Sequence, residues 1–350
     1  MTSHHTPSRP HTPAIDQEKC TGCALCLSVC PDRTLSMRDG KAVVSGDRCM
    51  ACAHCRAVCP SQAITLPDLE QEISFKTFTV DNTYLPPGQG DTSQLVRIML
   101  SRRSCRSYKK NSVDPQLLED LVRIGTTAPS GTNSQGWTFT ILPQRPAVET
   151  FGNLVGACFA KLNRQAANPL LRNLLSMLGK PALANYYHRY HKTIALGLRE
   201  WEEQGIDRLF HGAPAAIIVG SRPGTSCGKE DALLATQNIL LAAHTMGLGT
   251  CLIGFAVAAM ARSPKIQRTL NIPDDETIHA VIALGYPAEV YQRFTGRKVV
   301  TPRCFEAITK IRHPGEGRGP DLAELQSNTG SESCSARLPP ASAGMTGKSF

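Results

Sequence analysis

The sequence has few aromatic residues and no long hydrophobic run. Phe, Trp and Tyr make up 5% of the 350 residues. The longest apolar region, residues 232–260, is interrupted by His244, Gly247, Gly249 and Gly254, whereas a membrane-spanning helix needs about 20 predominantly apolar residues. The N-terminus is polar and proline-rich and has no apolar stretch typical of a secretory signal. We therefore expect a soluble, cytoplasmic protein with no membrane partner.

Two other familiar signatures are missing. No Gly-x-Gly-x-x-Gly motif opens a helix, which argues against a Rossmann dinucleotide-binding domain. The chain has 14 cysteines but no export signal, so metal binding is favoured over a disulfide framework. The formal net charge is +9, yet metal-bound thiols are deprotonated and would bring the loaded protein closer to neutrality. The basic balance is therefore weak support for nucleic-acid binding, and we expect no such partner.

What the sequence does contain is a cysteine motif that occurs twice. CTGCALCLSVCP covers residues 20–31 and CMACAHCRAVCP covers residues 49–60, both with the spacing C-x2-C-x2-C-x3-C-P. This spacing is typical of two-cluster ferredoxins, in which the fourth cysteine of each motif ligates the other cluster. Structural zinc needs only thiolate pairs and gives no reason for the third cysteine. The predicted ligands are Cys20, Cys23, Cys26 and Cys59 for one [4Fe-4S] cluster, and Cys49, Cys52, Cys55 and Cys30 for the other.

Composition divides the chain into five segments. We expect a disordered leader (1–13), a ferredoxin unit (14–67), a linker (68–92), a second domain (93–311) and a disordered tail rich in Gly, Pro and Ser (312–350). Within the ferredoxin unit, the Asp-Gly pair of SMRDGKAVV predicts a hairpin at 36–44. The short apolar stretches 14–16 and 63–67 are predicted to be matching strands.

The second domain alternates between helical and strand patterns. Helices are predicted at 93–103, 114–131, 147–205 (with a break at 179–181) and 230–249, and strands at 137–143, 213–221 and 278–287. This order predicts an α+β domain in which helices pack on a central sheet. Because the 230–249 helix is apolar on most faces, we expect it to be buried, either in the core or at a subunit interface.

An arginine-rich segment follows the first of these helices. In SRRSCRSY (101–108), Arg102, Ser104 and Arg106 alternate, so an extended backbone would place them on one side. Two guanidinium groups and a hydroxyl suit a phosphate dianion, although a solvated basic helix end would look the same. Iron–sulfur clusters carry one electron each, so the attached domain is expected to hold a cofactor that handles electron pairs, and flavin is the natural candidate.

This segment, together with APSGTNSQGWTF (128–139), GLGTCLIGF (247–255) and ALGYPAE (283–289), resembles the FMN-dependent nitroreductase family over about residues 93–311. The resemblance implies a nitroreductase-like α+β fold with FMN bound at the interface of a homodimer. The resemblance implies FMN-phosphate contacts from Arg102, Ser104 and Arg106. It implies contacts with the ring from Ser130, Gly131, Asn133 and Gln135, and from the backbone of Ile253 and Gly254 at the N5 edge. A further basic residue is implied to close on the phosphate, which we assign to Arg297, with Arg293 and Lys298 as alternatives.

The two resemblances together predict an oxidoreductase. Electrons would pass through two [4Fe-4S] clusters to FMN, which would reduce a small electrophilic acceptor of the nitroaromatic or quinone class. Two alternatives remain open: NAD(P)H rather than a ferredoxin reduces the flavin and the clusters export electrons, or the chain is a redox-sensing or electron-transfer module without a dedicated substrate. No proton donor is identified. The helical segment 158–211 is expected to cover the flavin face, and its candidate pocket residues are Tyr186, Tyr187, Tyr190, His191 and Trp201.

Overall fold

The computed structural model describes residues 12–67, 69–70 and 72–305. The chain divides into two units, Met1–Phe294 and Thr295–Phe350, and only residues 295–305 of the second are described. The predicted tail lies outside the described residues, as does the predicted leader except for its last two positions. No helix within the described ranges is long and apolar enough to cross a membrane.

The cysteine-rich part contains two small antiparallel sheets. β1 (Ala14–Ile15) pairs with β4 (Ile64–Thr65), and β2 (Leu35–Arg38) pairs with β3 (Lys41–Val44), so both strand predictions are confirmed. Asp39 and Gly40 have φ values of 50° and 73°, as a two-residue type I′ hairpin turn requires. Each cysteine motif contains one helical turn, α1 (Leu25–Ser28) in the first motif and α2 (His54–Ala57) in the second.

The second part is built on a four-stranded antiparallel sheet. Its strands are β5 (Trp137–Leu142), β6 (Ala215–Ser221), β7 (Gly249–Leu252) and β8 (Thr277–Gly285), in the order β5-β6-β8-β7. All seven residues of β6 are buried, as the continuous apolar run predicts. β7 was not predicted, because its four residues are too few to show a strand pattern.

Nine helices surround this sheet in the described chain, and the break at 179–181 is confirmed. Helices occur in all four predicted regions, but the 114–131 stretch leaves the helix after Gly125, the 147–205 region has further breaks at 168 and 190, and the helices Gly254–Met260 and Pro264–Thr269 were not predicted. Asp114 caps α4 by accepting a hydrogen bond from the Gln116 amide, and Pro115 occupies the first helical position. The helices are α3 (Thr92–Ser101), α4 (Pro115–Gly125), α5 (Arg145–Ala167), α6 (Pro169–Met177), α7 (Ala182–Arg189), α8 (His191–Gln204), α9 (Gly228–Thr245), α10 (Gly254–Met260) and α11 (Pro264–Thr269).

The two faces of the sheet carry separate hydrophobic cores. Ile218 of β6 packs in the core that contains Phe151 of α5, whereas Ile217 packs in the core that contains Ile239 of α9. Neighbouring residues of a strand point to opposite faces, so β6 supplies both cores. The sequence suggests that α9 is buried on all sides. Within one chain it is not, because Leu233 and Leu234 remain 40% and 46% exposed.

Part of the predicted linker is docked on the second part of the chain. The carboxylate of Asp120, a buried residue of α4, accepts hydrogen bonds from the amides of Lys76 and Thr77 (2.8 and 2.7 Å) and from the Thr77 hydroxyl (2.6 Å). Glu70 forms an ion pair with Arg123 of the same helix at 2.6 Å. The composition of the predicted linker suggests a loose connection. In the structure, however, Asp120 of α4 accepts hydrogen bonds from the backbone of the linker and holds it in place.

Candidate functional site

The eight cysteines of the two motifs surround two separate cavities. Each cavity is small, about 20 Å³, and is lined by three cysteines of one motif and the last cysteine of the other. The sets are Cys20, Cys23, Cys26 and Cys59 around one cavity, and Cys30, Cys49, Cys52 and Cys55 around the other. The cysteines therefore group as the sequence predicts, and their role as cluster ligands remains a prediction.

Backbone amides point at the sulfurs of these sets. The amides of Ala42 and Ala63 donate to the sulfurs of Cys20 (3.5 Å) and Cys59 (3.3 Å). Burial raises the pKa of the Cys55 thiol to about 11. A thiolate there is stable only beside compensating positive charge, which a metal cluster supplies. The donor set and the amide hydrogen bonds thus fit iron–sulfur clusters.

The 102–106 segment is extended and lies beside β7. The amide of Cys105 donates to Thr250 O at 2.8 Å, and Ser104 forms a parallel bridge with the same residue. Cys105 is buried, so the alternation of an extended chain turns Arg102, Ser104 and Arg106 to the other side. Burial raises the pKa of the Cys251 thiol, and the nearby charges of Arg106 and Arg102 oppose this shift. Both charges therefore reach Cys251, but of the three predicted phosphate residues only Arg102 lines the cavity beside the segment.

A cavity of about 570 Å³ lies next to this segment, within the volume range of ligand pockets. Arg102, His244 and Arg293 are among its lining residues. Burial lowers the pKa of His244, and the positive charge of Arg102 acts in the same direction. Arg297 belongs to the second unit, where its guanidinium donates to Thr295 and Gly296. Of the three predicted basic residues after β8, Arg293 lines this cavity.

The 130–135 loop is strained and firmly held. Thr132, Asn133 and Gln135 have positive φ values of 52°, 55° and 46°, which cost energy in residues other than glycine. Asp231 of α9 holds the loop by accepting from the Gly131 amide at 2.9 Å. A Cβ on Gly131 would lie 2.8 Å from both Cys227 Sγ and Ser226 Oγ, so only glycine fits without displacement. Such a fixed conformation suits a loop that positions polar groups against a ring.

Asn133 joins this loop to the second cysteine motif. Its amide nitrogen donates to the carbonyl oxygens of Met50 (3.2 Å) and Ala51 (2.9 Å), which lie between Cys49 and Cys52. Its amide oxygen accepts from Gln135 Nε2 at 3.3 Å. Nothing in the sequence predicts this contact, because its partners are more than 80 positions apart in the chain.

The Ile253–Gly254 turn connects β7 to α10. The Ile253 amide donates to Val281 O at 2.8 Å, which anchors the turn to β8. A Cβ built on Gly254 would meet no atom within 4 Å, and the flanking Leu252 and Phe255 are 49% and 42% exposed. The turn therefore leaves open space beside its backbone, as a site for a flat ring requires.

The 158–211 segment forms an apolar cavity near this turn. The cavity has a volume of about 170 Å³, lies between α5 and α8, and includes Phe159, Trp201 and Phe255 among its lining residues. Tyr186 stacks on Phe159 instead of lining the cavity, with ring centroids 6.5 Å apart. Arg172 covers the ring of Tyr187 at 3.9 Å. Of the five predicted pocket residues, Trp201 lines this cavity.

Comparison with known proteins agrees with both halves of this description. Residues 12–77 match the model of the 4Fe-4S dicluster domain, and residues 99–286 match that of the nitroreductase family. An NADH dehydrogenase of Thermus thermophilus is 31% identical over 191 residues, which cover 54% of this chain and 85% of the relative. A 4-nitrobenzoate reductase of Pseudomonas putida is 25% identical over 211 residues (57% and 87%).

One relative with a different name and one solved structure are also similar to this chain. An iodotyrosine deiodinase of Drosophila melanogaster is 23% identical over 227 residues, 60% of this chain and 70% of the relative. A crystal structure of a nitroreductase with bound FMN from Bacteroides fragilis is 22% identical, with a TM-score of 0.45, covering 62% of this chain and 100% of that one. The nitroreductase model covers more than half of the 350 residues. The chain is thus an oxidoreductase of the nitroreductase family that carries an N-terminal 4Fe-4S dicluster domain.

Proposed function

We propose that this protein accepts single electrons at two [4Fe-4S] clusters, passes them to FMN and reduces a small electrophilic acceptor of the nitroaromatic or quinone class. Bound FMN supplies the exchange between single electrons and electron pairs. The protein's own residues bind and orient it. Arg102 and Arg106 offer charge-assisted hydrogen bonds to the phosphate, and Ile253 and Gly254 offer a flat open backbone to the ring.

One observation supports electron exchange between the clusters and the flavin. The side chain of Asn133 contacts Met50 and Ala51 of the second cysteine motif and Gln135 of the 130–135 loop. The cysteine motif that would hold a cluster is therefore hydrogen-bonded to the loop that would meet the flavin. Because the clusters are tethered to the flavin domain and contact it, electron transfer between them does not have to wait for a diffusional encounter.

We also propose that the protein is a homodimer. Leu95, Val96 and Met99 of α3 are 44–50% exposed, and α3 packs against α9, which exposes Leu233 and Leu234. These exposed residues of the two packed helices are here called the α3–α9 face. Exposed apolar surfaces of this kind mark interfaces in soluble proteins.

Deletion of residues 1–70 tests the direction of electron flow. The remaining chain keeps the docked Lys76–Thr77 segment and all predicted FMN contacts, so we expect it to bind flavin. With reduced ferredoxin as donor, its turnover of a nitroaromatic acceptor should fall by about 10²-fold or more, because the tether is lost. A full-length Cys52→Ala/Cys55→Ala variant should behave alike. If the deletion keeps full turnover with ferredoxin, or if NADH bleaches the flavin of both proteins equally fast, the proposed direction is wrong.

A further inference from the structure

The two parts of the predicted flavin site lie at opposite ends of the sheet in one chain. Trp137, which follows the 130–135 loop, pairs with Ser221 at one end of β6. Ser104 forms a bridge with Thr250 of β7. Thr250 pairs with Leu284 of β8, and Leu284 pairs with Ala215 at the other end of β6. The six steps from Ala215 to Ser221 span ~20 Å at the rise of a β-strand.

α9 gives the same separation independently. Asp231 in its first turn accepts the hydrogen bond from Gly131 of the 130–135 loop. His244 in its last turn lines the same cavity as Arg102. At the rise of an α-helix these two positions are ~20 Å apart. The phosphate and the ring of one FMN lie closer together than this gap, so the two sets of contacts to one flavin are assigned to different chains.

A two-fold dimer resolves this geometry. The exposed side of α9 belongs to the α3–α9 face, and a two-fold axis that crosses α9 at right angles within that face makes the helices of the two subunits run in opposite directions. The first turn of one α9, with its 130–135 loop, then lies near the last turn of the other, with its 102–106 segment. Each flavin site is completed by the loop of the partner subunit.

We propose that the clusters of each subunit serve the flavin whose phosphate the partner subunit holds. The 130–135 loop that meets the partner's flavin is the loop that Asn133 ties to the second cysteine motif of its own chain. The second-motif cluster therefore faces the flavin across the subunit interface, and Asn133 is the positioning residue. This inference rests on the proposed function.

The electrons and protons of this transfer balance with a single external reductant. Two molecules of reduced ferredoxin each lose one electron to the clusters of one subunit. These two electrons, together with two protons from the solvent, account for full reduction of one flavin in the partner's site. No further co-reactant is needed.

Two heterodimers, purified with different affinity tags, distinguish transfer between subunits from transfer within one subunit. In the first, one subunit carries Arg102→Ala/Arg106→Ala and the other carries Cys52→Ala/Cys55→Ala. In the second, one subunit carries all four changes and the other is wild type. Flavin content is measured first and should be one per dimer in both. Each is then mixed anaerobically with reduced ferredoxin, and bleaching of the flavin absorbance is followed by stopped flow.

Transfer between subunits predicts bleaching at the wild-type rate in the first heterodimer and bleaching slower by about 10²-fold or more in the second. Transfer within one subunit predicts the reverse. Provided that the wild-type homodimer bleaches normally, fast bleaching in the second heterodimer, or slow bleaching in both, overturns the inference. Failure of the wild-type homodimer to bleach with this donor instead overturns the proposed function.

A second measurement tests Asn133 without any flavin chemistry. In flavin-free protein, Asn133→Asp removes the amide donor and places a carboxylate beside two carbonyl oxygens. Two hydrogen bonds to the motif are lost, so hydrogen exchange in the 49–52 region should become at least about five-fold faster, the factor expected for each lost hydrogen bond. Thr132→Ala in the same loop is the matched control, because the Thr132 hydroxyl interacts with Gly131 and Ser226 and not with the cysteine motif. Equal exchange in the two variants shows that Asn133 does not hold the motif.

Discussion

At the scale of single residues, the crossed grouping of the cysteines has a specific consequence. Cys59 belongs to the second motif in sequence but lines the cavity of the first. Hydrogen bonds from Ser61 and the Ala63 amide outweigh the effect of burial and lower the pKa of its thiol, which favours a ligating thiolate. Each motif therefore depends on the other for its fourth ligand, and neither is expected to assemble a complete cluster alone.

We expect Cys59→Ala to damage the cluster of the first motif more than that of the second. Wild-type protein purified anaerobically should contain about eight irons and eight sulfides per chain, as two complete clusters require. The variant should lose iron, and electron paramagnetic resonance of the reduced protein should show one cluster signal weakened. Cys30→Ala is the matched control and should weaken the other signal. Zinc without sulfide in the wild type would contradict the cluster assignment.

The arginines of the 102–106 segment allow a second test at this scale. Replacing Arg102 and Arg106 with alanine should weaken FMN binding by about 1.5–3 kcal/mol for each charge-assisted hydrogen bond removed. Isothermal titration of flavin-free protein measures the change. Lys110→Ala, at an exposed position just beyond the segment, should leave the affinity unchanged. Unchanged affinity in the double variant would mean that the segment is only a solvated basic helix end.

At the scale of elements, α4 organises the connection between the two parts of the chain. Asp120 on this helix accepts three hydrogen bonds from Lys76 and Thr77. Burial would raise the pKa of its carboxyl, but these hydrogen bonds prevail and hold the pKa below the ordinary value of 3.8. The charged carboxylate is the form that binds the segment. Its contribution to stability is therefore present above pH 3.8 and lost as the pH falls through the lowered pKa.

We expect Asp120→Asn to lower the free energy of unfolding by about 2–4 kcal/mol at pH 7, because hydrogen bonds to a buried charge are lost. Glu119→Ala is the matched control. Glu119 pairs with Lys76 at the surface, and such pairs are worth about 0–1 kcal/mol. Urea unfolding followed by tryptophan fluorescence measures both.

The same measurement repeated at decreasing pH checks the sign of the linkage. The difference between wild type and Asp120→Asn should shrink below pH 4, as the wild-type carboxylate becomes protonated. A difference that stays constant or grows on acidification would show that the charge of Asp120 does not stabilise the docked segment.

At the scale of the whole molecule, two of the apolar surfaces among the described residues are compared as candidates for subunit contact. One is the α3–α9 face, and the other is α6, where Leu170 and Met177 are 79% and 85% exposed. Only the α3–α9 face lies along the helix that links the two parts of the flavin site. The dimer proposed here therefore uses that face.

We expect Val96→Glu combined with Leu234→Glu to dissociate the dimer, because unpaired charges would be buried in the interface. Sedimentation velocity should show a monomer, and FMN should be lost with it since each site needs both subunits. Leu174→Glu on α6 should leave both the dimer and the flavin intact. Dissociation by the α6 change alone would move the interface to that surface and remove the basis for transfer between subunits.

Local spacing in the sequence by itself determined most elements and the grouping of the cysteines. The hairpin at Asp39–Gly40, the capped start of α4 and the buried strand β6 each depend on residues a few positions apart, so their patterns can be read directly. The repeated cysteine motif likewise indicates its cluster type by spacing alone. The resemblance of four short motifs to one family placed the predicted FMN contacts on the chain.

Only the tertiary structure decided how these parts are arranged. The contact of Asn133 with Met50 and Ala51, and that of Asp120 with Lys76 and Thr77, join residues more than 40 positions apart. The ~20 Å between the 102–106 segment and the 130–135 loop follows from strand register and helix length. Such contacts depend on how elements pack, and packing is a property of the whole chain that local spacing does not carry.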